Sequence, residues 1–394
     1  MFCRLSVGAA AVLVAASLAA CSAGETKPNY KESSLHFSNL PEIESISFKS
    51  VFHGAKSAVN RPLTGGEPAY DYSVHIIRDG DRYRMYTGGR WKRPGIERAD
   101  GDHVMQYVSP TGAGGTWTMP RDRPEFWNGA EQGKPGEWYA GNCLEPEVMK
   151  VNGTYYLYTQ VEITKGGPID IPGRKAAAWA DRIQLFTSRN GSDWTRFAAR
   201  GVVVNMDAPE NTALHHQELV YVPWDKDKRP FWLYVGVNLD GVFTGYSRIR
   251  SADPRSFDWR LREKGAGFSQ LGNQLAYARQ APGGPLFVRI TFTGDATGRH
   301  VPSLQFSRDG MAWFSGDEGP VLLDGSKDND KNRNCYFLGI STIDGTGELE
   351  YLGNNTYRAI YGATTSNSPG GGDIWYSEIG AGELIFTITP KAAG

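Results

Sequence analysis

Cysteine is scarce, with four in 394 residues, and no Cys-x-x-Cys pair or Cys/His cluster occurs. That excludes a fold stapled by structural zinc. An excess of one charge is also missing, since 42 Lys and Arg face 43 Asp and Glu. A chain so close to neutral lacks the field of a dedicated nucleic-acid binder. Long helical periodicity is absent, and the apolar run Val7 to Ala20 is too short to span a bilayer permanently. What is present is 40% apolar and 12% aromatic residues with 48 Gly and 22 Pro, which suits a large core broken by many turns and excludes overall disorder.

Arg4 followed by Val7 to Ala20 is the charged and apolar pattern of a secretory signal. It closes on Leu18-Ala19-Ala20-Cys21, which resembles a bacterial lipobox, where the cysteine carries lipid and becomes the mature N-terminus. The expected organisation is a signal at 1–20, a lipidated tether at 21–40 and one folded domain at 41–394. Without the leader, 41 basic residues face 43 acidic ones, a formal charge of −2. The expected location is the cell envelope, anchored in the membrane by Cys21 lipid and facing the periplasm or the exterior. Cys143 and Cys335 remain in the folded part, where a disulfide and two buried thiols fit equally.

An aromatic, β-branched run recurs as Tyr83–Tyr86, Tyr155–Tyr158, Phe231–Tyr234, Leu286–Ile290 and Tyr357–Tyr361, with starts 72, 76, 55 and 71 residues apart. Asp79-Gly80-Asp81, Asn152-Gly153 and Asn354-Asn355 precede three of these runs and mark hairpins. A further strand follows each run, and two of these end in Ser-Arg-[Asn/Asp]-Gly-x-x-Trp, at 188–194 and 307–313; Ser109–Trp117 and Ser251–Trp259 are looser versions. Five such units predict an all-β fold, a five-bladed β-propeller, with each tryptophan packed back across its blade.

In a propeller the first strand of each unit faces the axis. The residues that open those strands are Asp71, Glu145 and the run His215-His216-Gln217-Glu218. By their distance from the aromatic runs, Asp71, Glu145 and Glu218 are expected at equivalent positions. Converging carboxylates suit glycosidic cleavage, which needs an acid for the leaving oxygen and a carboxylate to activate water or attack carbon.

On Asp71 with Val74 and Ile76, on Leu144 to Tyr158 and on the Ser-Arg-Asp-Gly-x-x-Trp turns, the chain resembles the five-bladed propeller glycosidases of glycoside hydrolase families 43, 32 and 117. The resemblance implies Asp71 as base or nucleophile, Glu145 as acid and Glu218 as the carboxylate that tunes it. Likeness to family 117, which uses a histidine as acid, makes His216 a rival to Glu145. The chain departs from the pattern in having Tyr72 after Asp71, where a proline is common, and Gly272-Asn273-Gln274 where some of these families carry the acid.

His75, Arg90, Trp91, Trp138 and Gln274 are the expected substrate contacts, from the axis and from long loops whose aromatic faces can stack on sugars. Glu147 could replace Glu145, and Glu348 is placed at the rim. No cofactor is expected; Asp324 to Asn332 reads as a solvated loop, with Ca²⁺ as its alternative. The expected partner is a carbohydrate, with no nucleic acid, and the chain is expected to be monomeric. A glycan-binding lipoprotein without catalysis is the alternative function. A sialidase-like propeller fits less well, because the turns lack a residue of the sialidase box and five units are counted rather than six.

Overall fold

A computed structural model describes residues 31–52, 68–91, 103–119, 125–128, 143–161, 182–197, 212–240, 242–267, 274–294, 300–323, 334–366 and 378–392. The leader, Cys21, Trp138 and the run Asp324 to Asn332 lie outside them. Of Asp71, Arg90, Trp91, Cys143, His215 and Cys335 only the backbone is described.

Five sheets follow one another along the chain, antiparallel except where Thr342 and Ile343 pair in parallel with Ile77 and Arg78 of blade one. The inner strands are Pro68–Asp79, Cys143–Val151, Thr212–Tyr221, Leu275–Ala278 and Asn334–Ile340 for blades one to five. This is the five-bladed propeller that the repeat predicted. The ring closes in blade five, where Ile43–Phe52 from the start of the chain pairs with Glu378–Pro390 from its end. Lys31–Leu35 adds an outer strand to that sheet, and Phe37 and Leu40 behind it are buried. The folded part therefore reaches into the segment expected as a tether, because these two side chains bury against blades four and five.

Each of five apolar clusters lies between two neighbouring blades; Val148, Tyr155 and Leu157 of blade two, for example, pack on Ile77, Tyr86 and Val104 of blade one. A blade that buries both faces needs apolar residues at nearly every position, which is why the runs are continuous rather than alternating. The Ser-x-[Asn/Asp]-Gly turns fix the blade edges. Ser188 Oγ accepts from Asn190 N and Gly191 N at 3.2 and 2.9 Å, and Asn190 Oδ1 accepts from Ser192 N and Asp193 N at 2.9 and 2.8 Å. Ser307 and Asp309 repeat this arrangement in blade four.

Each turn docks on the preceding blade. Tyr86, Tyr158 and Tyr234 donate their hydroxyls to Gly191 O, Pro254 O and Gly310 O at 3.0, 2.6 and 3.0 Å. Trp194 accordingly meets Tyr86 of blade one edge-on at 6.0 Å as well as Tyr155 of its own blade. The turns thus join blades, a role their local spacing did not reveal.

One segment decides the form of the axis. After the inner strand of blade five, Ser341–Leu349 crosses the ends of the other four inner strands. Asp344 N donates to Arg78 O, Lys150 N to Asp344 O, Tyr221 N to Thr346 O and Tyr277 N to Gly347 O, at 2.6 to 2.8 Å. Glu348 therefore belongs to this floor and not to a rim. Gly345 makes the close approach possible, since any Cβ there would overlap the Val148 carbonyl and the φ of +70° disfavours a side chain.

Beside the floor, Asp79 accepts from Lys150 Nζ, Tyr155 OH and Arg84 Nε at 2.8, 2.7 and 2.6 Å. Burial raises the Asp79 carboxyl, but these three donors outweigh it and bring it down to about 2. A depressed carboxyl stabilises the fold above its unfolded value and loses that contribution as pH falls through the folded value. Asp79→Asn is expected to lose about 2 kcal/mol at pH 7 and to show a flatter loss of stability between pH 4 and 2, read from urea unfolding midpoints. Gly345→Ala is expected to destabilise by at least about 2 kcal/mol in the same assay.

Candidate functional site

The inner strands of blades one to three share one irregularity. Pairing jumps from Tyr72↔Gly88 to His75↔Tyr86, from Leu144↔Gln160 to Glu147↔Tyr158, and from His215↔Gly236 to Glu218↔Tyr234. Each jump is a β-bulge, and its first residue, Ser73, Glu145 or His216, has φ of +53°, +50° or +49°. A left-handed non-glycine residue costs on the order of 1 kcal/mol. Such strain persists only where the surroundings enforce it, and here it recurs at three matched positions on the axis.

This register corrects the expected equivalence of the carboxylates. Ser73, Glu145 and His216 form one layer, and His75, Glu147 and Glu218 form the next. Asp71 enters two residues ahead of its bulge, pairing with Gly89. Counting back from the aromatic runs misplaced Glu218 because the loop Val222–Pro230 in blade three is longer than the two tight hairpins, whereas Asp71, 12 residues before Tyr83 against 10 from Glu145 to Tyr155, was already two residues out of step.

The bulges bring Glu145 and His216 together from adjacent blades. His216 Nδ1 lies 2.6 Å from both carboxylate oxygens of Glu145. Gln160 Oε1 accepts from His216 N at 3.1 Å, and Gln217 Nε2 donates to Glu145 O, so both bulges are held through their backbones as well. Glu145 is 7% exposed and Glu218 3%.

His75 and Glu147 lie one layer deeper. His75 Nε2 donates to Val148 O at 2.8 Å, which turns Nδ1 toward Glu147 Oε2 at 2.9 Å, within ion-pair distance though not aligned as a hydrogen bond. Burial pushes the Glu147 carboxyl up, opposed by His75 and reinforced by the charge of Glu145. Gln274 spans the axis, its Oε1 accepting from Ile340 N at 2.7 Å and its Nε2 donating to Ile76 O at 3.4 Å. His75 and Gln274, expected as substrate contacts, are thus turned to protein groups and build the base of the site.

Two residues absent from the sequence reading complete it. The Tyr246 phenol is pushed up, first by burial and then by the charges of Glu218 and Glu145. Arg289 is brought down to about 10 by burial, against the pull of Glu218 and Tyr246. Its guanidinium stands 4.9 Å from the Trp313 ring and donates from Nε to Gln305 Oε1 at 2.7 Å. Arg289 had a sequence signal, as the one charge in the run Leu286 to Ile290; Tyr246 had none. Trp224 packs edge-on against Tyr277 at 4.7 Å. Among the described residues no group of three or more His, Cys, Asp and Glu side chains could hold a metal ion.

The fold has solved counterparts. The chain is similar to the catalytic domain of a Coprinopsis cinerea GH62 α-L-arabinofuranosidase, with a TM-score of 0.52 and 12% identity over 90% of this chain and all of that one. It is also similar to a GH62 hydrolase solved in complex with xylotriose, at 0.51 and 11% over 85% and 96%. A third is Zg3597, a family 117 glycoside hydrolase from the marine bacterium Zobellia galactanivorans, at 0.52 and 13% over 88% and 94%. At such identities the likeness establishes the shared five-bladed fold. No family model matches the sequence, and no curated protein does.

The sign of the Glu147 shift has a direct consequence. A carboxyl held above its ordinary 4.5 binds its proton more tightly folded than unfolded, so its contribution to stability falls as pH rises beyond 4.5. Glu147→Gln is expected to be more stable relative to the unmutated protein at pH 8 than at pH 4, measured by thermal unfolding at both.

Proposed function

We propose that this protein is a glycoside hydrolase that cleaves a glycosidic bond in an oligo- or polysaccharide at the open end of the propeller axis. The observation that carries the reading is the Glu145–His216 pair, joined at 2.6 Å by two strained bulges and flanked by buried Glu218. Shared fold with family 62 and family 117 glycoside hydrolases supports it. The finer likeness to family 43 rests on the sequence motifs alone.

The acid of the proposed reaction is a proton shared by the imidazole and the carboxylate of this pair, which lie 2.6 Å apart. In the proposed reaction that proton passes from the pair to the glycosidic oxygen as its bond to the anomeric carbon breaks. Asp71 takes a proton from the attacking water, or attacks the carbon itself. Glu218 sets the field in which the pair gives up its proton, with Arg289 as its countercharge. The substrate is a carbohydrate, held from the open end, and Arg90, Trp91 and Trp138 are proposed to contact it there. No cofactor takes part in this scheme. The protein is proposed to act as a monomer, tethered to the membrane through lipid on Cys21.

Hydrolysis of a panel of aryl glycosides and plant or algal oligosaccharides by protein lacking residues 1–21 tests the reading. Asp71→Asn, Glu145→Gln and His216→Gln are each expected to lower kcat/KM by about 10² to 10⁴ with unfolding temperatures retained. Turnover unchanged in all three sinks the assignment; stabilisation by a glycan without any turnover leaves a binding protein. For the anchor, Cys21→Ser is expected to move the full chain from the membrane to the soluble fraction.

A further inference from the structure

The second and third strands of blade three, Phe231–Leu239 and Val242–Ser251, turn at the open end of the axis, opposite the floor. Just past that turn Val242 and Phe243 are 64% and 45% exposed. Among the described residues Phe243 is the one Phe or Trp among the exposed large apolar side chains. An apolar ring in water gives up the stabilisation that burial would supply, so its position calls for a reason.

The strand itself indicates one. Phe243 meets the ring of Tyr246 edge-on, centroids 5.7 Å apart. Tyr246 is 3% exposed and pairs with Gly236, whose other neighbour is His215 on the inner strand, beside the bulge at His216. Between the two rings the pairing slips, from Val237↔Gly245 to Asn238↔Phe243, and Thr244 Oγ1 donates to Val237 O at 2.9 Å. That bulge pins the direction of the strand. Two aromatic rings therefore lead from beside the His216 bulge toward the solvent, the inner one buried and the outer one 45% exposed.

We propose that Phe243 is the platform for the sugar on the leaving-group side of the scissile bond. The inference rests on the hydrolase reading above. The segment Ser341–Leu349 is bonded across the ends of four inner strands at the far end of the axis, so in this proposal the part of a glycan beyond the cleaved bond extends toward the other end. The leaving oxygen faces the proton-bearing pair, and blade three carries both His216 of that pair and Phe243. The apolar C–H face of a pyranose or furanose ring matches an exposed phenyl face, and stacking on it adds up to about tenfold in affinity.

The test compares an oligosaccharide chosen from the hydrolysis panel with the glycosyl fluoride of the same terminal sugar, whose leaving group needs no platform. Phe243→Ala is expected to raise KM for the oligosaccharide about tenfold, leaving kcat and fluoride hydrolysis within about twofold. Phe243→Tyr is expected to restore KM, and Phe243→Leu, which keeps bulk but loses the ring, is not. Unchanged KM in Phe243→Ala overturns the platform and leaves the hydrolase reading standing. Equal losses on oligosaccharide and fluoride overturn it too, as they mark a general disturbance of the site. Should no substrate turn over, calorimetric titration with the same oligosaccharides separates the claims: binding that Phe243→Ala weakens keeps the platform and removes hydrolysis, and no binding removes both.

Discussion

The main-chain bonds between Ser341–Leu349 and the inner strands of blades one to four are the constraint on which the rest of this structure depends. Inner strands of a propeller end with unsatisfied N–H and C=O groups near the axis, where burial makes them costly. One segment satisfies all four ends together. In doing so it fixes the strands relative to one another at that end of the axis. Gly345 is the small residue that allows the segment to lie against Val148.

With the lower ends fixed, irregularity concentrates above. The bulges at Ser73, Glu145 and His216 are what a regular ladder would not tolerate, and they aim an ionisable side chain toward the axis in two of three cases. A side chain on a regular strand would face the neighbouring blade, as Val148 and Leu219 do. The site is thus built by departures from blade geometry, held in place by the regular parts around them. The His75–Glu147 layer and Gln274 separate that site from the floor with buried polar contacts, which hold one arrangement of the axis where apolar packing would allow several.

The ordered charge clusters fall into two groups with different consequences. Asp79 with Arg84, Lys150 and Tyr155 is a closed network in which every oxygen has a donor, and it serves stability. Glu145, Glu147 and Glu218 crowd like charges into a buried space with His75, His216 and Arg289, and burial there works against ionisation of Glu147. The first arrangement keeps its carboxylate charged through the neutral range; the second works against the charged form of Glu147.

Much of the fold was legible in the residues themselves. Aromatic runs, Asn-Gly and Asp-Gly hairpins and the repeated serine turns are local signals, because a turn needs φ > 0 and a strand buried on both faces needs continuous apolar side chains. Glu145, His216 and Glu218 could be singled out for the same reason, as polar residues opening such strands. Their register could not, since a bulge and the loop Val222–Pro230 shift the count and leave no trace in local spacing. Nor could the sequence show that His75 and Gln274 face protein groups, that burial and the charge of Glu218 both act on Tyr246 and Arg289, or that residues after Ile340 bond to the ends of the other four inner strands. Those follow from contacts between blades far apart along the chain, and long-range packing alone decides them.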